Sequence, residues 1–229
     1  MGEKRENMGD EEGTFSMRAD LKKQKYYRQA FDLACRRIKG LDLKERAEKS
    51  GAHFERGSNR KGGRISLSLF NARYVVDFPD ILITSADKKV VSLVTKIILL
   101  HYLINADGRP LSHQLIAYKE ISGGMLYAGV FARRAVEPLI PVFGQSPECF
   151  LDAGFRLGGR KAEYGDVSFV LPALPRIPMI YILWKGDEEF SATVQLLFDK
   201  SVEGYLSLED IVVVGEMAAS RLIALGGVD

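Results

Sequence analysis

The chain has 229 residues, 46% hydrophobic and 27% charged, with a formal net charge of +2. That length supports one large domain, or a domain with a subdomain, around a sizeable core. Basic and acidic residues are mixed along it, which excludes the electrostatic footprint of a nucleic-acid binder; its two cysteines, Cys35 and Cys149, cannot supply the four thiolates of a typical iron–sulfur cluster or an all-cysteine zinc site.

Residues 1–19 are charged and poor in apolar side chains, the composition of a disordered tail, and 20–229 read as a single domain. Asp20 is the expected cap of a helix from Leu21 to about Lys39, with Tyr27, Ala30, Phe31, Ala34 and Ile38 on its apolar face. A short helix follows from Leu43 to Lys49 and stops at Gly51. The run from Arg56 to Arg64 is basic and glycine-rich. It reads as a loop between strands, with phosphate binding as the rival reading.

Arg64 to Phe70 alternates, with Ile65, Leu67 and Leu69 on one face and Ser66 and Ser68 on the other. Asn71-Ala72 is the expected turn into a partner strand, Tyr74 to Phe78. Asp87 is expected to start a helix reaching Asn105, with Val90, Val94, Ile97, Ile98 and His101 as its core stripe. The apolar run Val90 to Ile104 is broken by Ser92, Thr95, Lys96 and His101 and is too short to span a bilayer. Ile116 to Ile121 reads as a short strand, and Met125 to about Glu137 as a helix broken by Pro138 and Pro141. Ser146-Pro147 opens another helix that stops at Gly158-Gly159.

Asp166 to Leu171 reads as a strand. Pro172, Pro175 and Pro178 then suggest an edge or crossing segment. Ile177 to Trp184 is apolar on both faces, as expected of a strand inside a sheet. Ser191 to Asp199 alternates, so the two form a hairpin across the turn Lys185 to Glu189. Ser207 and Asp210 make a capping-box-like pair ahead of a helix whose stripe includes Gly215, Ala218 and Ala219. Those small residues suggest close approach to a sheet. Strands cluster and helices cluster, which predicts an α+β fold with a mostly antiparallel sheet and helices packed on one face.

No phosphate-cradle glycine motif, nucleophile elbow, HExxH or CxxC is present. Candidate chemistry rests on two groups of residues. His101 lies on an apolar helix face. A buried imidazole must hydrogen-bond, either to a protein group or as a ligand of a metal or tetrapyrrole. Tyr102 and Trp184 are read as core residues or as walls of the same cofactor pocket. Asp187, Glu188, Glu189 and Asp199, with Glu209 and Asp210, offer oxygen ligands for Mg2+ or Ca2+; the simpler reading is a solvated turn at Asp187 to Glu189 and a first helical turn that favours negative charge at Glu209 and Asp210. The absence of a signal-peptide core and of a disulfide framework fits a reducing cytoplasm.

The ordered series His101-Tyr102-Leu103, Gly108, Pro110-Leu111, Ser122-Gly123-Gly124, Phe131, Pro138-Leu139, Phe143-Gly144, Gly158-Gly159, Asp166, Leu174-Pro175, Gly186 to Phe190, Leu197-Phe198-Asp199 and Leu208-Glu209-Asp210 resembles a prokaryotic family, domain of unknown function 3786. The resemblance covers Lys23 to Leu225. It implies an anaerobic cytoplasmic setting near low-potential redox or corrinoid methyl-transfer chemistry, since some members carry an iron–sulfur cluster domain on the same chain. It implies no catalytic residues. Any cluster would belong to a partner, such as an iron–sulfur or corrinoid methyl-transfer protein. Three functions follow as expectations: an accessory protein holding a small cofactor such as a corrinoid or other tetrapyrrole, a metal-dependent enzyme using the acidic turns, and an interaction module. No nucleic-acid or membrane partner is expected.

Overall fold

The computed structural model describes residues 24–57 and 62–226; the tail expected over 1–19 and the Asp20 cap lie outside them. Helix α1 spans 24–39 and α2 spans Leu43–Ser50. The Asp42 carboxylate caps α2 at the Glu45 N–H, and Gly51 ends it with a positive φ of 71°.

Four strands then form one antiparallel sheet in chain order: β1 (His53–Arg56), β2 (Gly63–Leu69), β3 (Ala72–Phe78) and β4 (Leu82–Ser85). The alternation in β2 works as expected, burying Ile65, Leu67 and Leu69. Its turn is one residue earlier than expected. Leu69 pairs with Ala72, and Phe70 and Asn71 have φ of 50° and 65°, the left-handed backbone of a tight hairpin.

The helix expected from Asp87 starts later. Asp87 instead closes a turn, accepting from the Ser85 hydroxyl and the Lys89 N–H. Helix α3 runs Leu93–Asn105, and its cap is Ser92, which accepts from the Thr95 N–H at 3.1 Å. Strand β5 (Leu115–Ala117), a 3-10 turn over Gly124–Tyr127, α4 (Ala128–Ala135), α5 (Ile140–Phe143) and α6 (Pro147–Arg156) follow.

The second antiparallel sheet has five strands ordered β5-β9-β8-β7-β6, with β6 at Arg160–Lys161, β7 at Val167–Leu174, β8 at Ile177–Trp184 and β9 at Thr193–Asp199. Strand β8 is central, which accounts for its apolar character on both faces. The prolines do not mark an edge. Pro172 faces Pro178 at the closed end of the β7–β8 hairpin, where the register is irregular. The structure is α+β with every strand pair antiparallel. The strands divide into two sheets, joined where the Phe70 N–H donates to the Ala173 carbonyl at 2.9 Å. One continuous apolar core includes residues of both sheets.

Helix α7 (Leu208–Gly226) closes the chain. The Asp210 N–H donates to the Ser207 hydroxyl at 3.2 Å, the expected cap. Its small-residue stripe meets a helix, not a sheet: a Cβ on Gly215 would lie 2.8 Å from the Ala135 Cβ of α4. That close α4–α7 packing sets the width of the groove that follows.

Candidate functional site

Helices α3 and α7 bring His101 to Asp210, 109 residues apart. His101 Nδ1 lies 2.8 Å from Asp210 Oδ1. A carboxylate only accepts, so Nδ1–H donates and, in the neutral ring, Nε2 keeps its lone pair. The other Asp210 oxygen accepts from the Ser207 hydroxyl at 2.6 Å. Asp210 is thus buried and held at both oxygens, while the His101 side chain keeps 25% of its exposure. A hydrogen-bonded carboxylate behind an imidazole fixes its tautomer and the orientation of its ring.

His101 opens on a recess of about 70 Å3 lined by Tyr26, Tyr27, Val94, Ile97, Glu209 and Val213, among others. The Tyr26 hydroxyl donates to Glu209 at 3.5 Å, and that neighbouring carboxylate pushes the phenol's pKa up. Beyond Ser207 and Glu209, which border both spaces, lies a larger cleft of about 550 Å3. Tyr118, Tyr127, Val130, Arg134, Leu208 and Val212 line it. Tyr118 is stacked on Phe131 with centroids 4.3 Å apart, and its hydroxyl donates to the Leu208 carbonyl at 3.2 Å. Arg134 is ion-paired with Glu216. Next to Tyr127, on the 3-10 turn, three consecutive apolar side chains face solvent: Met125 is 68% exposed, Leu126 87% and Tyr127 itself 55%. These side chains form an exposed apolar lip beside the cleft.

The other expected cofactor residues lie elsewhere. Successive residues on a helix point about 100° apart, so Tyr102 turns away from the recess into the core. It is fully buried, donates to the Ser50 carbonyl at 2.6 Å and accepts from the Arg176 N–H at 3.0 Å. Trp184 sits at the end of β8, partly exposed, against Gly165. His101, Tyr102 and Trp184 therefore do not line one pocket.

The acidic turns do not converge either. Asp187 accepts from the Glu189 and Phe190 N–H groups at 2.9 and 2.7 Å. Those bonds close its turn and hold its carboxyl below the usual range. Glu188 and Glu189 border an open depression with Ile140, Pro141 and Phe190. Asp199 is buried at the end of β9. It accepts from the Ser112 N–H and hydroxyl, the His113 N–H and the Ser201 N–H, at 2.7 to 2.9 Å. Its lone pairs are already committed to pinning the 112–113 loop. Among the described residues, no group of three or more His, Cys, Asp or Glu could hold a metal ion.

The donor at His101 suits an axial ligand, but a recess of about 70 Å3 does not enclose a macrocycle. A tetrapyrrole does not fit it as the recess stands. Of the groove residues, Tyr127, Val130 and Arg134 share one face of the α4 region at i, i+3 and i+7 spacing. That was the available signal for the cleft. Asp210 stood out as a cap and as one of the acidic side chains, not as the partner of His101.

A family model described as a domain of unknown function (DUF3786) matches residues 42–221. Neither the curated proteins nor the solved structures give a match. Among the described residues, no helix is long and apolar enough to cross a membrane.

Proposed function

The chain belongs to the DUF3786 family, and we propose that it is a non-enzymatic accessory protein that docks a protein partner through the groove along α7. The observation that carries this reading is the largely apolar cleft of about 550 Å3 bordered by the exposed Met125-Leu126-Tyr127 lip. A cleft beside projecting apolar side chains offers a partner both a pocket and a rim, the arrangement in which a few buried anchors carry most of the binding energy. The partner fitting the family setting is an iron–sulfur or corrinoid methyl-transfer protein in an anaerobic cytoplasm. Leu126→Asp is expected to weaken capture of such a partner from an anaerobic extract by about tenfold or more, at an unchanged melting temperature. Equal capture by the variant would remove the lip from the interface.

A second reading places a small cofactor in the same groove with His101 as its anchor, motivated by the Ser207–Asp210–His101 chain. A corrinoid or other tetrapyrrole would require the recess to widen. Anaerobically purified protein should then carry a chromophore or metal in stoichiometric amount, seen by visible absorption and elemental analysis for Co, Fe and Zn. His101→Ala should abolish its retention without unfolding the protein. Undiminished retention rules out His101 as the anchor.

A further inference from the structure

The four-stranded sheet carries a second concave space, of about 380 Å3, with no residue in common with the groove along α7. Strand β1 pairs with β2 only as far as His53 opposite Ser66, and β2 runs on to Leu69 with no strand on that side. Gly51, at the end of α2, and Pro175, at the tip of the β7–β8 hairpin, bound the notch this leaves. Its walls are tied together. The buried Tyr102 hydroxyl donates to the Ser50 carbonyl at 2.6 Å and accepts from the Arg176 N–H at 3.0 Å, which joins the end of α2 to the hairpin tip. A Cβ on Gly51 would lie 3.0 Å from Arg176 Nε, so a second guanidinium stands at that wall.

Register decides which side chains meet in the notch. Residues directly opposite in an antiparallel pair share a face. Ser68 faces Arg73 on β3 as His53 faces Ser66, and all four line the space. Ser66 and Ser68 are two residues, about 7 Å, apart along β2, with Arg73 beside the second. The carboxylates on this sheet face are engaged elsewhere. Asp77 accepts from Arg64 at 2.8 Å. Glu55 lies 3.5 Å from His53 Nε2 and opposite Arg64, four residues, about 13 Å, along β2 from Ser68. Among the described residues, no carboxylate pairs with Arg73 and no hydrogen bond engages the Ser66 or Ser68 hydroxyl. An unneutralised guanidinium and two free hydroxyl donors face one space, which is a donor set for an anion.

We propose that this notch binds the phosphate group of a small phosphate monoester, with Arg73 as the charged contact and the Ser66 and Ser68 hydroxyls as donors. A monoester phosphate carries three terminal oxygens and a charge near −2, enough to accept from all three groups at once, whereas a carboxylate has two oxygens and half the charge. The rest of the volume, within the range of small-ligand pockets, takes the organic part. The site goes beyond the docking reading and does not depend on it.

The test titrates the full chain with ethyl phosphate at pH 7.5 and constant ionic strength, beside inorganic phosphate and acetate. The readout is the His53 imidazole NMR signal, assigned by its loss in His53→Gln. Ethyl phosphate should shift that signal saturably and acetate should not. Arg73→Gln, at an exposed position, should weaken ethyl phosphate by about tenfold at an unchanged melting temperature. No saturable shift, equal affinity for acetate, or unchanged affinity in Arg73→Gln would overturn the proposal. Saturable binding of inorganic phosphate without binding of ethyl phosphate would overturn the ester and leave a site for the free ion.

Discussion

Asp199→Ala is expected to lower stability at pH 7 by about 2 kcal/mol, because it removes the acceptor shared by the buried Ser201 N–H and by the Ser112 and His113 N–H groups. Four hydrogen bonds converge on this carboxylate from Ser112, His113 and Ser201, and together they fix the 112–113 loop against the end of β9. Burial pushes the Asp199 carboxyl up, but the bonds from Ser112 and Ser201 outweigh it and hold the group at about 2. An unfolded aspartate titrates near 3.9. The folded pKa is the lower one, so this stabilisation is fully present above about pH 4 to 5 and is lost as pH falls towards 2. Urea unfolding of the wild type and of Asp199→Asn should therefore give a stability gap that narrows between pH 5 and pH 2. A gap independent of pH would show that the charge is not the source.

Phe150→Ala should cost more, about 4 kcal/mol. Phe150 is fully buried on α6, and its ring contacts Phe143 at 5.0 Å, Phe169 at 4.9 Å and, edge-on, Tyr181 at 6.0 Å. Those partners belong to α5, β7 and β8, so the ring is where α6 is anchored to the five-stranded sheet. The approach is close: a Cβ on Gly154 of the same helix would sit 2.7 Å from the Phe169 ring, leaving little room for collapse around a void. A melting temperature about 10 °C lower is expected for a chain of this size, with Phe150→Leu retaining more than half of the loss. A shift of only one or two degrees would place the anchor elsewhere.

Periodicity made the hairpins legible. The alternation in β2 and β9 and the doubly apolar β8 identified strands, and the Ser207–Asp210 pair identified the start of α7. Three strands escaped because their patterns are short: HFER in β1, LITS in β4 and the two residues of β6 bury too few side chains to alternate visibly. Asp87 resembled a helix cap, but its carboxylate serves a turn, and Ser92 five residues later caps α3. Local patterns also do not say which hairpins share a sheet, so one expected sheet is two. At the groove, His101 was visible as a histidine on an apolar face and Asp210 as a capping residue. Their contact across 109 residues has no local signature. Asp199 misled for the same reason, since the donors that saturate it lie 86 and 87 residues upstream.

Both sheets are bounded by short strands. The five-stranded sheet ends in β5, three residues long, and β6, two residues long; the four-stranded sheet ends in strands of four. The long apolar strands β7, β8 and β9 are all interior to their sheet. An exposed strand edge is a template for pairing with another molecule, and its hazard grows with its length and flatness. This chain therefore offers little backbone for cross-molecule β-pairing while folded. On β7 the outer edge is covered by β6 at Phe169 and Val170, by the Ala162 N–H at Ser168 and by the Phe70 N–H at Ala173, so its hazard grows where these contacts are lost. Where they hold, colloidal behaviour should follow the Met125–Tyr127 lip and not the sheets, so a single charge at Leu126 would improve solubility more than any substitution on a strand.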